Sequence, residues 1–249
     1  MRFEYPFNER VRNTLRLEFL LERMHLLAKQ PDARMHQLAL SGLFDVLDIT
    51  ERADVKSTLT QDLMRQRQTI VGYADHPHVN PHTFQKTLQD IDQCLENLNN
   101  LGRIGQAVRD NEWLVGIRGR LTVAGGAAHI DSPSLLAWQQ RSESQRQADL
   151  SKWMLTVQPL RDAINMTLGL LRQSCEPEQA VAKAGSFQRS LEGKSFHILQ
   201  VWVDVKQNIY PEMSGNKYMM WIRFSELDQH LKTHSVSQDV SFKYALCGL

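Results

Sequence analysis

Apolar residues recur every three or four positions up to about residue 176, and every second position after it. Side chains repeat every 3.6 residues on a helix and every 2 on a strand, so the pattern predicts helices followed by a sheet. The fold class is α+β: an N-terminal all-helical domain over 1–176, then a small antiparallel β-domain over 186–249. The stretch 175–185, CEPEQAVAKAG, reads as the connection. The last ~70 residues are too few to bury a generous core alone, so the sheet is expected to lean on the helices.

Asn8 caps a long helix over 9–29, whose stripe runs through Val11, Leu15, Phe19, Leu20, Met24 and Leu27 before Pro31. A second helix over 33–51 turns Leu38, Leu43, Val46 and Leu47 inward, and Asp54 caps a third reaching Tyr73. Asn80-Pro81, an N-cap with proline at the first helical position, starts a fourth. Short helices fill 103–120, and LTVAGGAAHID is a loop. Ser132-Pro133 restarts helix, and two more cover 143–158 and 159–174. Strands are expected at 186–192, 195–205, 217–225 and 238–246, with PEMSGN at 211–216 as a reversal.

Alternation then predicts one outward sheet face. Leu199, Val201, Val203 and Val205 point in, as do Tyr218, Met220, Ile222 and Phe224. Gln200, Trp202 and Asp204, with Lys217, Met219, Trp221 and Arg223, point out beside Ser241, Lys243 and Ala245. Aromatic anchors beside arginine are typical of partner-binding hot spots. A second cationic group is helical. Arg12 and Arg16 are four apart, as are Arg52 and Lys56, while Arg109, Arg118 and Arg120 precede the Gly125-Gly126 loop. The plainer reading pairs these cations with Glu9, Glu18 and Glu51 on solvated faces. Two arginines around Gly119 fit a shaped pocket better.

Charge narrows the function classes. From residue 177 there are 8 Lys+Arg against 7 Asp+Glu, which leaves 21 against 21 before it. Duplex binders usually carry a clear basic excess, so nucleic acid is a poor candidate. No apolar run approaches the ~20 residues of a membrane span, and MRFEYPFNER lacks the apolar core of a signal peptide. Cys94, Cys175 and Cys247 are odd in number without a CxxC pair, and read as reduced thiols rather than a disulfide frame. Gly193-Lys194-Ser195 resembles the end of a P-loop. However, Gln188 stands where a glycine is required, and a strand follows instead of a helix. His76, His78 and His82 suggest zinc and hence a metal-dependent hydrolase as an alternative, without HExxH and with Asp75 alone nearby.

Five segments resemble one family: YPFNERVRNTLRLEFL, RIGQAVRD, RLTVAGGAAHIDSPSLLAW, PLRDAINMTLGLLRQS and IYPEMSGNKYMMWIRF. In combination and order they resemble the ZapD cell-division family over essentially the whole chain. The resemblance implies a non-enzymatic, cytoplasmic homodimer that works at the mid-cell division ring. It implies binding to the C-terminal tail of the tubulin-like protein FtsZ and cross-linking of FtsZ filaments, with no cofactor. The basic positions that match are Arg12, Arg16, Arg52, Lys56, Arg118, Arg120, Lys217 and Arg223, and Trp221 joins them from the sheet pattern. Some members carry an arginine and a histidine where this chain has Glu112 and Leu136, and those positions are not assigned. Without the resemblance, a dimeric scaffold for another cytosolic partner fits the same residues.

Overall fold

A computed structural model describes residues 1–74, 76, 77 and 79–248. The chain divides into two compact units, Thr14–Thr167 and Met1–Asn13 with Leu168–Leu249.

The first unit is helical. It takes in most of α1 (Glu9–Ala28), then α2 (Ala33–Arg52), α3 (Val55–Val71), α4 (Pro81–Asn100), α5 (Gln106–Arg109), α6 (Glu112–Leu121), α7 (Pro133–Gln139) and α8 (Glu143–Met154), and most of α9 (Gln158–Gln173). Of the expected caps, Asn8 accepts from Val11 N and Asp54 from Ser57 N, while α2 and α8 carry caps of their own. Asp32 accepts from Arg34 N at the start of α2, and Asn80 accepts from His82 N and Thr83 N ahead of Pro81. Ser142 and Gln145 close a reciprocal capping box on α8.

Helix α2 is enclosed on most sides, burying His36, Leu40, Leu43, Phe44, Val46 and Leu47. Two residues expected inward are not. Phe19 is 61% exposed, with the Arg23 guanidinium 5.5 Å above its ring, and Leu38 is 49% exposed. In α1 the buried set is Val11, Thr14, Leu17, Leu21 and Met24. Steps of three and four hold one face, whereas the 11, 15, 19 series drifts about 40° per step. Leu38 lies about 200° around the helix from His36 and from Leu40.

A buried guanidinium organises part of this unit. Arg146 of α8 donates Nε–H to His36 Nδ1 at 3.0 Å. Its terminal nitrogens donate to the carbonyl oxygens of Pro31 at 2.9 Å, Gln139 at 3.0 Å and Arg141. Nearby, Trp113, Trp138 and Trp153 cluster with ring centroids 5.7–6.0 Å apart, which packs α6, α7 and α8 together.

The second unit holds two antiparallel sheets. One has the order β1 (Arg2–Pro6), β4 (Ile198–Trp202), β8 (Val240–Cys247), β2 (Glu178–Ala182). The other has β3 (Ser186–Ser190), β6 (Met219–Leu227), β5 (Ile209–Gly215), with β7 (Thr233–Ser235) also paired to β6. Leu199, Val201 and Phe242 of the first sheet share one core with Met220, Ile222 and Phe224 of the second.

This arrangement corrects the single sheet expected from alternation. Inner faces meet, so the outer faces of the two sheets point to opposite sides. Trp202 and Lys243 are cross-strand neighbours on the first sheet, while Trp221 and Arg223 belong to the second. Gln200 and Ala245, expected outward, are 2% exposed. Above them Arg172 of α9 holds Glu4 at 2.8 and 2.7 Å, and Gln200 donates to Glu4 at 2.9 Å. Burial pushes the Glu4 carboxyl up, but the hydrogen bonds from Arg172 and Gln200 outweigh it and hold it below the usual carboxylate range.

Further corrections concern strands hidden in apparent loops. β2 lies inside the expected connection, and β5 runs through PEMSGN. The reversal comes later, where Asn216 Oδ1 accepts from Tyr218 N and Met219 N and leaves Tyr218 58% exposed. β1 pairs Phe3 with Val201, a partner no local pattern announces. Cys175 and Cys247 form a disulfide rather than two free thiols. Their spacing of 72 residues gives no hint that the fold brings them together.

The β2–β3 turn needs glycine. Ala184 and Gly185 have φ of 47° and 71°, both positive as a type I′ turn demands. A Cβ on Gly185 would lie 2.1 Å from the Val236 carbonyl oxygen. Gly185→Ala should therefore destabilise the strand unit by about 1–3 kcal/mol, measured by urea unfolding. An unchanged midpoint would mean that the turn relaxes freely.

Candidate functional site

The expected cations fall into groups with different surroundings. Arg12, at the start of α1, donates to Glu9 at 3.1 Å and lies 6.0 Å from the Tyr5 ring centroid. Arg16 follows one turn later, exposed. At the end of α2, Arg52 is exposed and has no ion-pair partner among the described residues.

The neighbouring carboxylates of α2 are occupied from α5 and α6. Arg118 reaches Asp48 and donates to both oxygens of Glu51 at 3.3 Å. Arg109 also contacts Glu51 and donates to the Ile104 carbonyl oxygen at 3.3 Å. Burial, and then the adjacent Arg118 charge, push the Arg109 guanidinium below its ordinary value, while Asp48 opposes them. Lys56, at the start of α3, donates to the carbonyl oxygen of Leu101, the residue whose N–H closes α4 on Asn97. Thr50, Glu51, Lys56, Arg103, Ile104 and Arg109 line a cavity of about 280 Å³.

Arg118 and Lys56 therefore brace helices, as the plainer reading of paired charges has it for Glu9 and Glu51. Arg118-Gly119-Arg120 lies inside α6, within the short helices expected over 103–120. Arg120, two residues on, is exposed and has no ion-pair partner among the described residues. Arg103 is absent from the expected cations, and Arg109 is grouped with Arg118 and Arg120 but not among the family-matched positions, although RIGQAVRD carries both. Gly105 between them has φ 67°, and a Cβ there would lie 2.2 Å from Leu47 Cδ2.

The strand unit presents a different surface. On the outer side of its second sheet, Trp221 lies between Gln188 of β3 and Ser214 of β5. Arg223 lies in the next outward row, between Ser186 and Glu212. These six residues, with Phe187, Met213 and Ile222, line a groove of about 660 Å³. Trp221 is 41% exposed, so an aromatic face beside an arginine is open to a ligand. Lys217 precedes β6, its ammonium 4.8 Å from the Tyr218 ring centroid.

His76 and His82 are exposed, and His78 and Asp75 lie outside the described residues. No group of three metal-ligating side chains occurs among the described residues. No helix among them is long and apolar enough to cross a membrane.

The proteins that match this chain are cell division proteins, which gives its class: an α+β protein of cell division. The family described as "ZapD: Cell division protein" matches residues 15–223, which include every expected site residue except Arg12. A cell division protein ZapD of Bordetella pertussis is 48% identical over 246 residues, covering 99% of this chain and 97% of its own. The ZapD of Bordetella petrii is 47% identical over 99% of this chain and 98% of its own. That of Janthinobacterium sp. (strain Marseille) is 43% identical over the same shares. The chain belongs to the ZapD family.

Proposed function

We propose that this protein is a non-enzymatic, cytoplasmic division factor that binds the C-terminal tail of FtsZ and, as a homodimer, cross-links FtsZ filaments at the mid-cell ring. Membership of the ZapD family carries the reading. The surfaces agree with it. Arg52, Arg120 and Arg223 are exposed without an ion-pair partner among the described residues, and carboxylates of a tail can complete them with charge-assisted hydrogen bonds. Trp221 and the groove beside it offer apolar contact to an extended segment. In this reading the positions offered to the tail are Arg16, Arg52 and Arg120 on the helical unit and, taken by itself, Lys217, Trp221 and Arg223 on the strand unit. Arg12, Lys56 and Arg118 hold the elements that carry them.

The dimer is supported by apolar residues left open on the first two helices. Phe19 and Leu26 are seven apart on one face of α1, 61% and 64% exposed, and Leu38 adds to them from α2. A tail that orders on binding makes each contact weak. Two sites on a symmetric dimer, facing filaments with many tails, turn weak contacts into strong avidity.

Co-sedimentation with FtsZ polymers tests the mechanism. Full-length FtsZ should pellet with the protein and bundle, and FtsZ lacking its tail should do neither. Equal bundling of tail-less FtsZ would overturn tail binding.

A further inference from the structure

The Cys175–Cys247 link joins two elements that are otherwise far apart in sequence. Cys175 lies two residues beyond α9, and Cys247 ends β8. Their Cα atoms are 5.3 Å apart, within the ordinary span of a disulfide. The two sulfurs differ in access: Cys247 is fully buried, whereas Cys175 is partly exposed. The site also suits the reduced state. Gln200 Oε1 lies 3.5 Å from Cys247 Sγ and can accept from a thiol there. The same Gln200 donates to Glu4, which holds Arg172, three residues before Cys175. Cys247 thus touches a polar network that reaches Arg172 on the helix before Cys175, and reduction would give Gln200 Oε1 a donor that the disulfide lacks.

We propose that Cys175 and Cys247 are a reversible redox switch that fastens the end of α9 to the last strand, exchanging with glutathione-type disulfides through Cys175. In oxidation the Cys175 thiolate attacks a sulfur of glutathione disulfide and expels one glutathione thiolate. The Cys247 thiolate then attacks Cys175 Sγ and expels the second. Two protein thiols lose two electrons and two protons, and one glutathione disulfide becomes two glutathione thiols. Reduction runs the same steps backwards, starting at Cys175, the sulfur a solute can reach. In a cytoplasmic protein, the location given by the proposed function, such pairs are transient and redox-sensing rather than permanent.

The test needs no FtsZ, so it stands or falls apart from tail binding. The full-length protein is equilibrated across glutathione-to-glutathione-disulfide ratios, alkylated with N-ethylmaleimide in denaturant, and its mass measured. Oxidising buffer should leave one alkylated cysteine, Cys94, and reducing buffer all three. The midpoint should follow the square of the glutathione concentration. Because the link closes a loop of 72 residues, the melting temperature should fall by roughly 5–15 °C across the same transition. Cys94→Ser should keep the transition, and Cys247→Ser should lose it and melt like the reduced protein in both buffers. Three alkylated cysteines in excess glutathione disulfide would overturn the switch. So would one alkylated cysteine in excess glutathione, or a stable mixed disulfide at Cys175.

Discussion

Arg146→Ala should lower the stability of the helical unit by roughly 3–5 kcal/mol. The guanidinium is 7% exposed, and its partners are the ring of His36 and the carbonyl oxygens of Pro31, Gln139 and Arg141. No carboxylate is among these, so the fork of donors, rather than an ion pair, joins α8 to the turns before α2 and α8. Truncation leaves the buried His36 ring and three partly buried carbonyl oxygens facing a cavity, and an orphaned buried group costs more than a hydrogen bond contributes. His36 is fully buried and its Nε2 has no partner among the described residues, so its ring depends on Arg146 for its bond. Arg146→Lys should recover little, because one ammonium cannot reproduce a planar fork. Guanidinium chloride unfolding followed by tryptophan fluorescence reads this directly, since Trp113, Trp138 and Trp153 all lie in the helical unit. A loss below about 1 kcal/mol would show that water replaces the guanidinium.

Charge reversal at Arg16, Arg120 or Arg223 should weaken FtsZ bundling by about 10- to 100-fold in the protein concentration required. If the tail binds as proposed, each removes a charge-assisted hydrogen bond of about 1.5–3 kcal/mol and sets a carboxylate against those of the tail. The exposed positions of all three in this fold predict that folding survives. Size-exclusion chromatography should still show the dimer, and circular dichroism the native helix content. Arg118→Glu is a poor substitute for these variants, because it sets a carboxylate against Asp48 and Glu51 and loosens α6. Normal bundling by all three reversal variants would move the binding site elsewhere.

Helices were legible in the sequence because their signals are local. Asn8, Asp54 and Asn80-Pro81 cap the elements they precede, and the core leucines follow the helical period. The alternating strands were legible too, but not their division into two sheets. Alternation states which residues share a face and leaves open which face meets which. Trp202 and Trp221 illustrate the gap, since identical alternation places them on separate sheets. β1 and the disulfide escaped for a related reason. Their partners lie 192–200 and 72 residues away, and no window of sequence contains both. Among the site residues, Arg118 and Arg120 look alike in sequence. Only tertiary structure shows that Asp48 and Glu51 occupy the first and leave the second open.

The pairing of β1 with β4 has a consequence for how the protein is made. Arg2–Pro6 leaves the ribosome long before its partner Ile198–Trp202, which follows almost two hundred residues later. At about 5–20 residues per second, the first strand waits roughly 10–40 s for its neighbour. During that time the residues of the helical unit are complete and free to fold, while Phe3, Tyr5 and Phe7 remain without the sheet core they pack against. A nascent chain stalled anywhere before Trp202 therefore trails an aromatic, unpaired strand, the segment a holding chaperone would meet first.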